Sequence, residues 1–302
     1  MSRIFEALQR SEAERSGEPE SASVAMATDL LHAAERGLFE PGSSSRESRF
    51  EPGGSDISAR PELGRFSSLG VTVAPDSRLM CLTQPESLGA EKFRFLGVKL
   101  RQMQQARGLK KILVTSTIPE EGKSTISGNL ATTLARKQSQ RVLLLEGDLR
   151  RPSLSQQFGI SKVPGLSEWL SEDPMPMESI YKLEGPNFWF LPAGRPPENP
   201  LELMQSGRLS ELMEQLAGWF DWIVIDSPPV LPLADTSVWT RLADGVLLVT
   251  REGITQKRQL ERGLQALEKS KLLGVVLNSS TNTDHKNYYQ RYGPMAQKNH
   301  RR

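Results

Sequence analysis

Only one cysteine, Cys81, occurs in 302 residues, so no disulfide can form within the chain and a reducing compartment suits it. Long apolar runs are also missing. None approaches the roughly 18 residues that span a bilayer. The opening residues Met1-Ser2-Arg3-Ile4-Phe5-Glu6-Ala7-Leu8 lack the apolar core of a signal peptide, so a soluble, cytoplasmic protein is expected. Net charge is nearly absent: 38 basic and 36 acidic side chains leave +2, which gives no reason to expect a nucleic-acid partner. Tyrosine is scarce at four residues, and three of them, Tyr288, Tyr289 and Tyr292, crowd into one short polar stretch.

Residues 1–15 suit a short helix with Ile4, Phe5 and Leu8 on one side, read either as a frayed terminus or as a small docking helix. Residues 16–77 are rich in Ser, Gly, Pro, Glu and Arg. Within them Phe39-Glu40-Pro41-Gly42 recurs as Phe50-Glu51-Pro52-Gly53, too few copies for a solenoid. This composition predicts a disordered linker that buries too little apolar surface to offset its ordering entropy. A folded domain is expected over 78–283 and a flexible tyrosine-bearing tail over 284–302.

Residues 86–105 carry Leu88, Phe93, Leu96, Leu100 and Met103 at helical spacing. Beyond them strands and helices alternate. Strands are expected at 111–116, 141–145, 187–191, 222–226, 245–250 and 272–277, and helices at 123–137, 200–217, 234–242 and 255–269. This alternation implies an α/β fold, a mainly parallel sheet with helices on both faces. Three polar motifs fall at the ends of apolar strands, where open α/β sheets bind ligands.

The first is Thr117-Ile118-Pro119-Glu120-Glu121-Gly122-Lys123-Ser124-Thr125, a Walker A-like loop. Its Gly lets backbone N–H groups curl around phosphate oxygens, with a helix N-terminus aimed at the same anions. Lys123 then neutralises the β- and γ-phosphates of ATP, and the Ser124 hydroxyl is placed to ligate Mg2+. The second is Glu146-Gly147-Asp148-Leu149-Arg150. Asp148 is the better candidate for the carboxylate nearest the reacting centre, while Arg150 suits either a phosphate or a neighbouring carboxylate. The third is Ile223-Val224-Ile225-Asp226-Ser227-Pro228-Pro229. A carboxylate ending a buried strand needs a partner, and for Asp226 the choice lies between Mg2+, its water shell and a helix N-cap.

From about Arg78 to Gly293 the chain resembles the bacterial tyrosine kinases that autophosphorylate and control capsule or exopolysaccharide export. The resemblance rests on the ordered set: the P-loop with Pro119, Leu143 to Pro152, Leu191-Pro192-Ala193-Gly194, Pro197 to Leu203, the strand ending at Asp226, and the terminal tyrosines. It implies a MinD/ParA-like P-loop NTPase fold, ATP and Mg2+, and phosphorylation of Tyr288, Tyr289 and Tyr292. As partners it implies a membrane co-polymerase or activator, further copies of the chain and an opposing tyrosine phosphatase, with recruitment to the inner face of the membrane. In related ATPases an Asn after the last strand contacts adenine. Asn278 holds that place here, with a turn-forming role as the alternative.

The chain departs from the family pattern at two places. Glu146 stands where the family has the first of two Asp residues sharing base and metal roles. Gly97 replaces the second Arg of the Glu-x-x-Arg-x-x-Arg helix that links subunits, here Glu91-Lys92-Phe93-Arg94-Phe95-Leu96-Gly97, so a weaker ring is expected. Two rival readings remain. One is a catalytically weak ATP-binding adaptor of an export complex. The other is a MinD/ParA-type positioning ATPase, disfavoured because Thr117 stands where those proteins carry a signature Lys.

Overall fold

The computed structural model describes residues 66–160, 162–171, 179–231 and 234–280. The expected docking helix, most of the expected linker and the three terminal tyrosines lie outside the described residues. Eight strands are present among them: Ser67–Leu69 (β1), Lys111–Ser116 (β2), Val142–Glu146 (β3), Tyr181–Leu183 (β4), Trp189–Leu191 (β5), Trp222–Asp226 (β6), Gly245–Arg251 (β7) and Leu272–Asn278 (β8). They form one sheet in the order β1-β4-β5-β3-β6-β2-β7-β8, parallel except where β4 meets β5.

The helices are Met80–Thr83 (α1), Leu88–Arg107 (α2), Lys123–Ala135 (α3), Leu154–Gln157 (α4), Leu166–Ser171 (α5), Pro200–Met204 (α6), Arg208–Trp219 (α7), Asp235–Leu242 (α8) and Lys257–Ala266 (α9). Successive strand residues point to opposite faces, and the two cores follow from that period. Ile112, Val114, Leu144 and Val224 pack with Ile126, Leu130 and Leu134 of α3. Leu113, Leu145, Ile223 and Ile225 pack with Leu212 and Leu216 of α7 and Trp239 of α8. Burial on both faces explains why the central strands read as continuous apolar runs.

The expected boundary at Arg78 lies inside the fold. Phe66 is buried among the rings of Trp189, Trp219 and Phe220, and β1 forms an edge of the sheet by pairing with β4. The single helix expected at 200–217 is two helices, broken at Gly207, whose φ of 78° is left-handed. The helix expected at 255–269 is trimmed to α9, which a reciprocal Gln256–Gln259 capping box starts. No helix among the described residues is long and apolar enough to cross a membrane.

Candidate active site

Strands β3, β6 and β2 are neighbours at the centre of the sheet, and their C-terminal ends bring the three motifs together. Asp226 stands in register with Val114 on one side and Glu146 on the other. Gly122 takes a φ of 92° immediately before α3, a conformation that a side chain would strain, and so turns the loop into the helix. Glu120 is left-handed too, at φ 66°, and the Arg251 guanidinium donates to its carbonyl at 3.3 Å. Gly147 has a steric role: a Cβ there would meet the Trp239 ring at 2.7 Å.

A cavity of about 570 Å³ opens at this junction. Pro119, Glu120, Gly122, Lys123, Ser124 and Thr125 line it from the P-loop, and Asp148 and Arg150 from the segment after β3. Lys123 Nζ lies 3.0 Å from Asp148 Oδ2, and Asp148 Oδ1 accepts the Arg151 N–H at 3.0 Å. Burial works to lower the pKa of Lys123, but the carboxylates of Asp226, Asp148 and Glu146 outweigh it and hold the ammonium charged.

Asp226 is fully buried, which pushes its carboxyl up to about 6 against the opposing pull of Lys123 and the Ser124 hydroxyl. Its Oδ1 accepts the Ser127 hydroxyl at 3.2 Å, whereas its Oδ2 is buried with no partner among the described residues. An orphaned carboxylate oxygen beside a serine hydroxyl fits a divalent ion. No three His, Cys, Asp or Glu among the described residues gather into a cage. That suits Mg2+, which keeps waters and substrate phosphates as its remaining ligands. Such an ion would neutralise phosphate charge, and Ser124, Asp226 and Asp148 are the groups that could hold it.

Four expected site residues are used differently. Glu146 is fully buried and accepts from Leu154 N at 2.6 Å, Ser155 Oγ at 2.8 Å and Ala193 N at 3.2 Å, so its carboxylate is engaged by protein and absent from the cavity lining. The Glu121 carboxylate also turns inward, accepting from Ile118 N at 2.9 Å and from the Thr255 hydroxyl. Thr117 packs its side chain beneath Gly263 of α9, its hydroxyl buried. Arg150 binds both oxygens of the buried Asp235, at 2.6 and 3.1 Å, which selects the carboxylate over the phosphate as its partner.

Asn278 donates to the Glu121 carbonyl at 2.8 Å, tying β8 to the P-loop. It also lines a second cavity, of about 560 Å³, that shares Glu120, Gly122 and Thr125 with the first. The sequence reading missed Asp235, Ser127 and Thr255. Only Ser127 carried a signal, one helical turn beyond Ser124 and on the same face.

The ParA family model, described as NUBPL iron-transfer P-loop NTPase, matches residues 109–293. It agrees with the sheet and its P-loop. Tyrosine-protein kinase YwqD of Bacillus subtilis is 32% identical over 212 residues, covering 70% of this chain and 89% of YwqD. The chain belongs to the bacterial tyrosine kinases. The putative tyrosine-protein kinase EpsB of Ralstonia nicotianae is 33% identical over 218 residues, covering 71% of this kinase but only 29% of EpsB. The kinase domain of Escherichia coli tyrosine kinase ETK superposes with a TM-score of 0.63 at 26% identity, over 74% of this chain and 87% of that one. The enzyme class is therefore that of a protein-tyrosine kinase built on a P-loop fold.

Proposed function

We propose that this kinase transfers the γ-phosphoryl group of Mg2+·ATP to Tyr288, Tyr289 and Tyr292 of its own chain or of a second copy, and thereby regulates capsule or exopolysaccharide polymerisation or export. The observation that carries the reading is the Lys123–Asp148 pair lining the cavity, with the orphaned oxygen of Asp226 buried behind it and its charge acting on the same lysine. Arriving phosphates give Lys123 a new partner and release Asp148 to accept the phenolic proton. A phenol with a pKa of about 10 benefits from such a base. The second cavity, which shares Glu120, Gly122 and Thr125 with the first, leaves room beside Asn278 for the nucleoside.

Tyr181, the remaining tyrosine, supports the terminal cluster by exclusion. It is buried in β4, with its hydroxyl donating to the Pro164 carbonyl at 3.2 Å. Coverage of nearly all of YwqD but under a third of EpsB supports a kinase domain that serves either as its own chain or inside a larger one. A membrane co-polymerase or activator draws this kinase to the inner face of the membrane, and a tyrosine phosphatase reverses the modification.

The test is incubation of the full chain with ATP and Mg2+, then peptide mapping by mass spectrometry. Phosphate is expected within residues 286–302, and the triple change of Tyr288, Tyr289 and Tyr292 to Phe removes nearly all of it without altering ATP binding, because only the nucleophilic oxygen is lost. Phosphate chiefly on Tyr181, or on serine and threonine, overturns the assignment and favours the adaptor reading.

A further inference from the structure

Two consecutive guanidinium groups, Arg150 and Arg151, line the first cavity, and their circumstances differ. The fork of Arg150 is committed to Asp235, which is only 1% exposed, so moving it toward a ligand would leave a buried carboxylate unpaired. Arg151 has no such tie. Its side chain is exposed, and among the described residues no carboxylate lies within ion-pair distance of it. Its backbone is nevertheless fixed. The N–H donates to Asp148 Oδ1 at 3.0 Å, and Pro152 after it restricts Arg151 to extended conformations. A mobile, unneutralised cation is thus anchored one hydrogen bond from the carboxylate that faces Lys123.

We propose that Arg151, not Arg150, is the guanidinium that contacts the anionic oxygens of the phosphoryl group as it passes to the acceptor phenol. The inference rests on the phosphoryl-transfer reading above. In that step the phenol oxygen bonds to the γ-phosphorus. The bond from phosphorus to the bridging oxygen breaks, its electron pair leaving with ADP, and the phenolic proton goes to Asp148. Arg151 makes and breaks no covalent bond. Charge spreads over three equatorial oxygens in such a transfer, and Lys123 with the P-loop amides meets them from the β2–α3 side only. Arg151, Ser153 and Gln157 come from the separate β3–α4 segment, and a planar fork of donors suits oxygens presented there. Arg150 becomes a positioning residue that holds this segment to α8.

The experiment uses the full chain with Arg151→Ala, Arg151→Lys and Arg150→Ala. Affinity for Mg2+·ADP is measured by calorimetry with and without aluminium fluoride, which mimics the phosphoryl group in transit, alongside the initial rate of phosphotyrosine formation at saturating ATP. Arg151→Ala is expected to keep its Mg2+·ADP affinity within about twofold. It should lose about tenfold or more of the fluoride-dependent gain and about 10²-fold in rate, the scale of removing one preorganised donor. Arg151→Lys recovers part of both, because charge returns without the fork. Arg150→Ala instead lowers the unfolding temperature.

If Arg151→Ala retains both the fluoride-dependent gain and the rate within twofold, Arg151 is a solvated surface group and the proposal fails. It fails equally if ADP affinity and unfolding temperature fall in step with the gain. The fluoride comparison needs no acceptor tyrosine. Absence of phosphotyrosine in the unmodified protein therefore overturns the functional reading separately from the role of Arg151.

Discussion

Glu146 and Asp226 stand side by side in register across β3 and β6, yet their carboxylates have different surroundings. Glu146 meets four donor groups on α4 and the loop after β5, while Asp226 keeps one oxygen bare beneath the P-loop. From sequence alone, the shorter carboxylate of the family pattern is expected to preserve or raise activity at position 146. The hydrogen bonds of Glu146 add a cost in stability, because Asp is one methylene too short to reach the amides of Leu154 and Ala193 together. Glu146→Asp should cost about 1–3 kcal/mol through unsatisfied buried donors. Thermal unfolding checks it, and an unchanged or higher midpoint with higher kinase activity would show that Glu146 is not a strut.

Asp226 yields a pH prediction. A carboxyl raised to about 6 keeps its proton across the mildly acidic range, so the nucleotide-free fold gains from the neutral form and loses that contribution as pH rises through about 6. Mg2+ must displace the same proton. Mg2+·ADP affinity should therefore weaken as pH falls through about 6, with about half a proton released per binding event near that pH and close to one about a unit below it. Calorimetry in two buffers of different ionisation enthalpy measures that release. Binding without proton release near this pH would remove Asp226 from the metal site.

Among elements, legibility followed length. The central strands β2, β3 and β6 were readable because burial on both faces fills them with Val, Ile, Leu and Trp. β1 and β4 span three residues each, too short to show a period, and β1 sits in a segment whose composition suggests a linker. Phe66 was the available clue, a ring outside the Phe-Glu-Pro-Gly repeat of the polar stretch. The break between α6 and α7 was hidden because Gly207 lies in a helical pattern whose apolar positions continue on both sides. In the site, the motif letters located Lys123, Asp148 and Asp226, but whether a carboxylate faces the cavity or the core depends on long-range partners that spacing does not record.

Gly97 on α2 shows the same limit. The family pattern suggests a lost subunit contact there. The structure adds a packing reason: Gly97 is buried against α3, and a Cβ would lie 3.0 Å from Thr133 Cγ2. Glycine inside a helix costs about 0.5–1 kcal/mol, offset here by the close approach of the two helices. Gly97→Arg should destabilise the fold by about 1–3 kcal/mol through overpacking rather than restore a ring. Urea unfolding and light scattering read the two effects separately. A variant of undiminished stability that forms a larger assembly would return the position to the subunit contact.

At the scale of the molecule, the P-loop is braced from the side away from its catalytic partners. Arg251 at the end of β7 donates to the Glu120 carbonyl, Thr255 donates to the Glu121 carboxylate, and Asn278 at the end of β8 donates to the Glu121 carbonyl. β7 and β8 pair with each other, and β7 pairs with β2, so ordering the loop also orders this flank. The opposite flank, β5, β4 and β1, reaches the P-loop strand only across β3 and β6. Mg2+·ADP should therefore slow amide exchange in 117–127, 146–155 and 226–230, and also in 251–255 and at Asn278, while β1 and β4 stay unchanged. The loop amides gain a ligand directly, whereas residues 251–255 gain protection because their bonds to Glu120 and Glu121 hold a loop that no longer opens. Exchange mass spectrometry with and without nucleotide separates the flanks. Protection confined to the cavity residues would show that the bracing bonds do not couple β7 and β8 to the nucleotide. Equal protection in β1 would show that the whole sheet tightens as one unit. Thr255→Val, which removes a bond to Glu121, should shrink the effect at 251–255 while leaving that at 146–155 intact, a difference that a general loss of nucleotide affinity would not produce.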